Sequence, residues 1–260
     1  MNVLVCLSII LFVLMKLISG EKGTRSFIAL FLNFGITLLA ILLMTREAFN
    51  PIFLTMIACI LISCINLFYI NTINLKSVIS FIATLMTLFF LVGLIFIFVE
   101  KSMILGFGIE EIEELSFFNL YVGVNFIEIA SCTIIMGSIG AITDTSISIS
   151  SAMNEIFIHN PFMDQCSLFK SGMNVGKDIL GTTTNTLYFA FIGGYLALIV
   201  WFKDLSYSFG EVINSKVFSS EVISIFCIGT GAILIIPITA WLTAFMLTRR
   251  KKDVSVSEEV

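Results

Sequence analysis

Seven apolar stretches, at residues 2–18, 26–44, 51–70, 78–99, 118–142, 179–202 and 222–247, constrain this chain more than any other feature. A helix that crosses a bilayer needs about 20 mostly apolar residues. Lipid offers the backbone no hydrogen-bond partners, so a crossing segment must bond within itself, as a helix does. The sequence therefore predicts an all-α, polytopic transmembrane bundle of about seven spans. Composition agrees, because only 12% of the 260 residues are charged. Soluble domains carry about 25%, enough to coat a globule in water.

Residues 143–178 form a longer, semi-polar connection between spans five and six, and predict an amphipathic or re-entrant helix there. The other connections are short, so residues 1–260 read as a single integral membrane domain with a tail at 248–260. No basic residue precedes the first apolar run, which reads as a retained helix and not a cleaved signal. Pro51 suits the start of a helix, where its missing N–H costs nothing. Pro237, inside the last span, predicts a kink.

Lys and Arg resist translocation, so their distribution sets the orientation. With the first connection inside, ten of the 14 basic residues are cytoplasmic and Arg46, Lys101, Lys203 and Lys216 are outside. The N-terminus is then outside and the C-terminus inside. Glu110, Glu111, Glu113 and Glu114 fall in the external loop after span four. The run Arg249–Lys252 reads as a stop-transfer anchor against anionic headgroups, not a nucleic-acid patch.

Charge within a bilayer is costly, so acids in or beside the spans are candidates for function. Glu128 lies near the middle of span five, with Asn125 and Cys132 on the same helical face. Asp144, Ser148, Ser151 and Glu155 form a polar stripe at helical spacing, opposite Ile142, Ser146, Ile149, Met153 and Ile156. Interfacial helices usually carry Lys or Arg on the polar face. This stripe has two acids and no base, which favours a helix that dips in and lines a cavity. Gly137 and Gly140 just before it suggest that span five ends or breaks there. Asp178, Thr182 and Asn185 share a face of span six, within the polar run Gly181–Thr186. Those hydroxyls can bond back to their own helix, line a proton wire or offer oxygen to a small cation. Gly137, Gly140, Gly172, Gly181, Gly193 and Gly194 are candidate points of close helix approach.

Several tempting readings fail. Gly172–Lys177 lacks the glycine, the hydroxyl and the preceding strand of a phosphate-binding loop. The serines near Asp144 and the single histidine, His159, show no nucleophile–base spacing, and His159 before Asn160-Pro161 reads as a helix end. The six cysteines lie in or beside apolar runs without C-x-x-C spacing, as packing residues do. No catalytic residue, metal site or cofactor is assigned.

Two segments carry a resemblance. The run Gly140-Ala141-Ile142-Thr143-Asp144-Thr145-Ser146 through Asn154-Glu155, and the run Ser171-Gly172-Met173-Asn174-Val175-Gly176-Lys177-Asp178 through Thr186-Leu187 with Gly193-Gly194, resemble the core signature of YibE/F-like bacterial membrane proteins. The likeness is specific over 137–198 and is to the shorter, YibF-type members. Thr143 departs from it, where a larger apolar residue such as Met or Val is expected. The resemblance implies a bacterial cell membrane location and a YibE-type membrane partner, or a homo-oligomer. It implies no particular activity. Three functions follow in order: a transporter or transporter subunit for an ion or small solute, proton- or cation-coupled; a partner-binding subunit of a membrane complex; and, last, an intramembrane enzyme using paired carboxylates.

Overall fold

The computed structural model describes residues 3–44, 46, 49–102 and 125–258, and every regular element among them is helical. The acidic loop at 110–114 and the expected start of span five at 118–124 lie outside the described residues.

Helix α1, Val3–Met44, changes direction at Gly20, where φ is 58° and ψ −128°. Only glycine adopts this backbone without steric cost. The chain reverses there. The rings of Phe12 and Phe27 stand 5.0 Å apart, whereas 15 residues of straight helix would separate them by about 22 Å. Gly23 lies against the Met15 carbonyl, leaving no room for a Cβ. The connection expected between 18 and 26 is thus helix on both sides of one glycine.

Helix α2, Pro51–Cys64, starts as anticipated, with Pro51 in the first turn and Asn50 accepting from the N–H groups of Ile52 and Phe53. It runs into a π turn at Ile65–Tyr69. There Asn66 accepts from Asn33 Nδ2 of α1 at 2.8 Å. Helix α3 is Leu75–Ser102.

Helix α4, Phe126–His159, corrects the expected break. Residues 143–159 are not a separate amphipathic or re-entrant element but continue the same helix, which passes Gly137 and Gly140 unbroken. After a turn at 160–164, α5 runs Gln165–Gly194, so the expected connection at 143–178 is divided between two long helices. Then follow α6 (Leu196–Asp204), α7 (Phe209–Asn214) and α8 (Lys216–Glu258), which continues through Pro237.

Among the described residues, α1, α2 with its π turn, α3, α4 and α8 are long and apolar enough to cross a membrane. A sixth crossing results if α5 and the following helix, bent by 46°, count as one. The chain is a membrane protein.

At the centre α3, α4 and α8 pack together around Leu88, Leu91, Ile135, Ile142, Ile149, Ile235 and Ala240, all fully buried. The seam between them also carries hydroxyls. Ser146 donates to the Ser80 carbonyl at 3.3 Å, and the Thr239 hydroxyl, 3.1 Å away, is left to donate to Ser146. Ser150 donates to the Lys76 carbonyl at 3.1 Å. These are the carbonyls that Thr84 and Ser80 would reach one turn back on their own helix. Both of those buried hydroxyls are left without a partner.

This seam fixes relative depth. Ser150 lies level with Lys76, and Gly176 abuts Ile149. Lys76, Ser150 and Lys177 therefore mark one level on three helices. Asp144 lies six residues further along α4, roughly 9 Å from that level at 1.5 Å per residue.

Candidate functional site

Helix α5 is held against α4 and α8 by glycine. An added Cβ at Gly172 would collide with Met153 Sδ and stand 3.1 Å from Ala240 Cβ. At Gly176 it would collide with Ile236 Cγ2 and stand 3.4 Å from Ile149 Cδ1. Asp164 caps the helix start, accepting from the backbone N–H groups of Cys166 and Ser167 and from the Ser167 hydroxyl. Those bonds hold its carboxyl below the usual carboxylate range.

Beyond the glycine contacts the two helices part and enclose a half-open cleft of about 390 Å³. From α4 it is lined by Gly140, Ala141, Asp144, Thr145 and Ser148. From α5 come Ile179, Thr182, Thr183, Thr186 and Leu187. Gly140 belongs to the opening itself: an added Cβ there meets nothing within 4 Å.

The cleft brings together Asp144, Ser148 and Thr182 of the residues singled out in the sequence. The other stripe members, Ser151 and Glu155, do not line it, nor do Asp178 and Asn185. Glu155, Asp178 and Asn185 are exposed elsewhere on their helices. Glu128 is not at mid-span. It occupies the first turn of α4, where Asn125 caps the helix and donates to Glu128 Oε1 at 3.2 Å. A carboxylate there complements the positive end of the helix dipole. The face opposite the stripe is buried as expected, with Ile142, Ser146, Ile149 and Met153 inaccessible. Thr145 is a lining residue that the sequence reading did not single out, and Thr183 and Thr186 were marked there only as members of the polar run 181–186. The signal for Thr145 was its place one helical turn before Ile149 and one after Ala141.

Of the candidate packing glycines, Gly172 makes a close approach and Gly137 faces Ile228 Cδ1, 3.1 Å from an added Cβ. Gly181, Gly193 and Gly194 have open space beside them. Gly176, Gly231 and Gly23 are close-packed positions that were not singled out.

Several hydroxyl protons in the cleft are committed. Ser148 donates to the Asp144 carbonyl at 2.7 Å, Thr182 to Ile179 at 2.8 Å and Thr186 to Thr182 at 2.9 Å. Their lone pairs remain free to accept. Asp144 is the one ionisable side chain in the lining, and its carboxylate has no hydrogen-bond or ion-pair partner among the described residues. Among the described residues, no three His, Cys, Asp or Glu side chains gather in a metal-binding group. All six cysteines are free thiols.

No curated protein and no solved structure matches this chain. The model of the YibE/F-like protein family matches residues 7–249, nearly the whole sequence, and the chain belongs to that family.

Proposed function

We propose that this protein is a multi-pass transporter, or the transporting subunit of one, that moves a cation or proton through the cleft at Asp144. One observation carries the reading. The one carboxylate that lines the cleft among the described residues faces hydroxyl-bearing Thr182, Thr183 and Thr186, roughly 9 Å inside the level of the flanking lysines. An acid at that depth is costly unless it binds something or exchanges a proton. The arrangement sits in a chain of seven spans, counting the two arms of α1 separately and the bent pair α5–α6 as one. The N-terminus is outside and the C-terminus in the cytoplasm of a bacterial cell. The test is flux in proteoliposomes. Asp144→Asn is expected to abolish gradient-driven uptake in protein that still elutes as a single species. Undiminished uptake would remove Asp144 from the pathway.

A second reading is a partner-binding subunit. Thr184 and Asn185 are exposed on the outer face of α5. A membrane-facing amide without a partner is costly in lipid, and a neighbouring helix would satisfy it. A YibE-type protein or a second copy of this chain fits that role. Co-purification that is lost in Asn185→Leu supports it, and unchanged assembly opposes it.

A further inference from the structure

We infer that the ligand of the Asp144 cleft is a small organic primary ammonium, R–NH3+, and not an inorganic cation or an anion. This rests on the reading of the cleft as a cation pathway and narrows it to one chemical class.

The lining decides the class. Backbone N–H groups of α4 and α5 are spent within their helices. The hydroxyl protons of Ser148, Thr182 and Thr186 go to carbonyls of the same helix. Among the described residues, no Lys, Arg, His, Asn, Gln, Tyr or Trp lines the cleft. The wall therefore presents one carboxylate and several lone pairs, with few donors to offer in return. An anion finds only the Thr145 and Thr183 hydroxyls as donors and is repelled by the Asp144 carboxylate beside them. A primary ammonium brings three N–H donors and no acceptor, the complement of Asp144 and the oxygens of Ser148 and Thr182.

Size separates an organic from an inorganic cation. A desolvated metal ion requires about six or more oxygens closing on it at 2.0–2.6 Å. A cleft of about 390 Å³ is far larger than such a cage and falls in the range of small-molecule sites, about 300–1,000 Å³. Ala141, Ile179 and Leu187 give it apolar wall for a short carbon body. A lipid headgroup amine is a poorer fit. It brings a phosphate that the acceptor-rich wall repels, and Asp144 lies well inside the lysine level where headgroups sit.

Purified protein in nanodiscs of phosphatidylcholine and phosphatidylglycerol provides the test, with binding followed by calorimetry. Butylammonium, tetramethylammonium, sodium, potassium and butyrate are the probes. Butylammonium is expected to bind, and tetramethylammonium, which has no N–H, to bind at least about tenfold more weakly. Butyrate is expected not to bind. Asp144→Asn should weaken butylammonium at least about tenfold. Thr182→Val keeps the charge and the shape, and should weaken it by a smaller factor. Equal binding of the two ammonium probes, or butylammonium binding insensitive to both variants, would overturn the inference. Sodium or potassium binding that depends on Asp144, with no butylammonium binding, would overturn it while leaving the cation pathway intact. If no probe binds and proton flux in proteoliposomes is also insensitive to Asp144→Asn, the pathway itself falls. A parallel titration in discs containing phosphatidylethanolamine separates the two amine sources. Competition with butylammonium there would assign the cleft to the headgroup instead.

Discussion

Ser146 on α4 and Thr239 on α8 hold their hydroxyl oxygens 3.1 Å apart, both fully buried in the seam of the three central helices. Ser146 is also bonded to α3 through the Ser80 carbonyl, so one side chain ties three helices together. Removing a bonded buried hydroxyl orphans its partner and costs about 1–3 kcal/mol, while removing an unbonded one relieves a penalty. Ser146→Ala is therefore expected to lower stability by about 1–2 kcal/mol. Thr84→Val, which deletes a hydroxyl without a partner, is expected to be neutral or stabilising. Denaturation in mild detergent measures both. The reverse ranking would show that the seam is bonded differently.

Gly172 and Gly176 are both crowded, but by different atoms. The neighbour at Gly172 is the flexible end of Met153, whose Cε stands 2.9 Å from an added Cβ. At Gly176 it is the branched Ile236, with its own Cβ at 3.3 Å. Methionine can turn away, whereas a β-branched side chain is fixed at χ1. Gly176→Ala is expected to cost about 1–3 kcal/mol by overpacking, and Gly172→Ala less. Gly181→Ala, with open space beside it, should stabilise by up to about 1 kcal/mol through helix propensity. Melting temperatures should rise from Gly176→Ala through Gly172→Ala to Gly181→Ala.

Acid should loosen the turn between α4 and α5. Asp164 accepts hydrogen bonds only while ionised at full strength, and its carboxyl titrates below the ordinary carboxylate value. A depressed folded value means that its stabilisation is complete above the unfolded value, about 3.9. It is lost as pH falls through the lower folded value. Asp164→Ala should melt below the parent at pH 7, and the gap should narrow as the pH is lowered below the unfolded carboxylate value. A gap that stays constant with pH would mean the cap contributes through something other than its charge.

Position within the helices also separates the acids. Glu128 belongs to a helix cap and Asp178 lies outside the cleft. Glu128→Gln and Asp178→Asn are expected to leave proteoliposome flux within about twofold of the parent, where Asp144→Asn abolishes it. A loss in Asp178→Asn matching that of Asp144→Asn would extend the pathway towards the Gln165 end of α5.

Much of this architecture was readable because lipid imposes a length and a periodicity on any crossing segment. The start of a span at Pro51 and the apolar face of Ile142, Ile149 and Met153 follow from such patterns. The continuity of α4 did not. Residues 143–155 look too polar to extend an apolar helix, because the partners that permit their burial, the carbonyls of Ile139, Ser80 and Lys76, are distant in sequence or hidden in the backbone. Glycine is likewise ambiguous from sequence alone. Gly176 admits a neighbouring helix, while Gly140, in the same type of context, leaves a gap. Glu128 was a legible signal misread: Asn125 three residues before a glutamate is a capping pattern. The reversal at Gly20 depends on a single backbone torsion that no periodicity encodes.

Helix α5 is fastened at both of its ends. Gly172 and Gly176 lock it near Lys177, and at the other end the Phe191 ring lies 6.5 Å from that of Phe218 on α8. About 22 Å of helix hangs between these anchors, with Gly181 and the cleft threonines along it. Gentle bowing, at the radii of about 60–100 Å that long helices adopt, shifts the middle of such a length by at most about 1 Å. Any wider excursion must begin by unfastening an end, and a pair of tilted rings releases more readily than two glycines sunk into neighbouring helices.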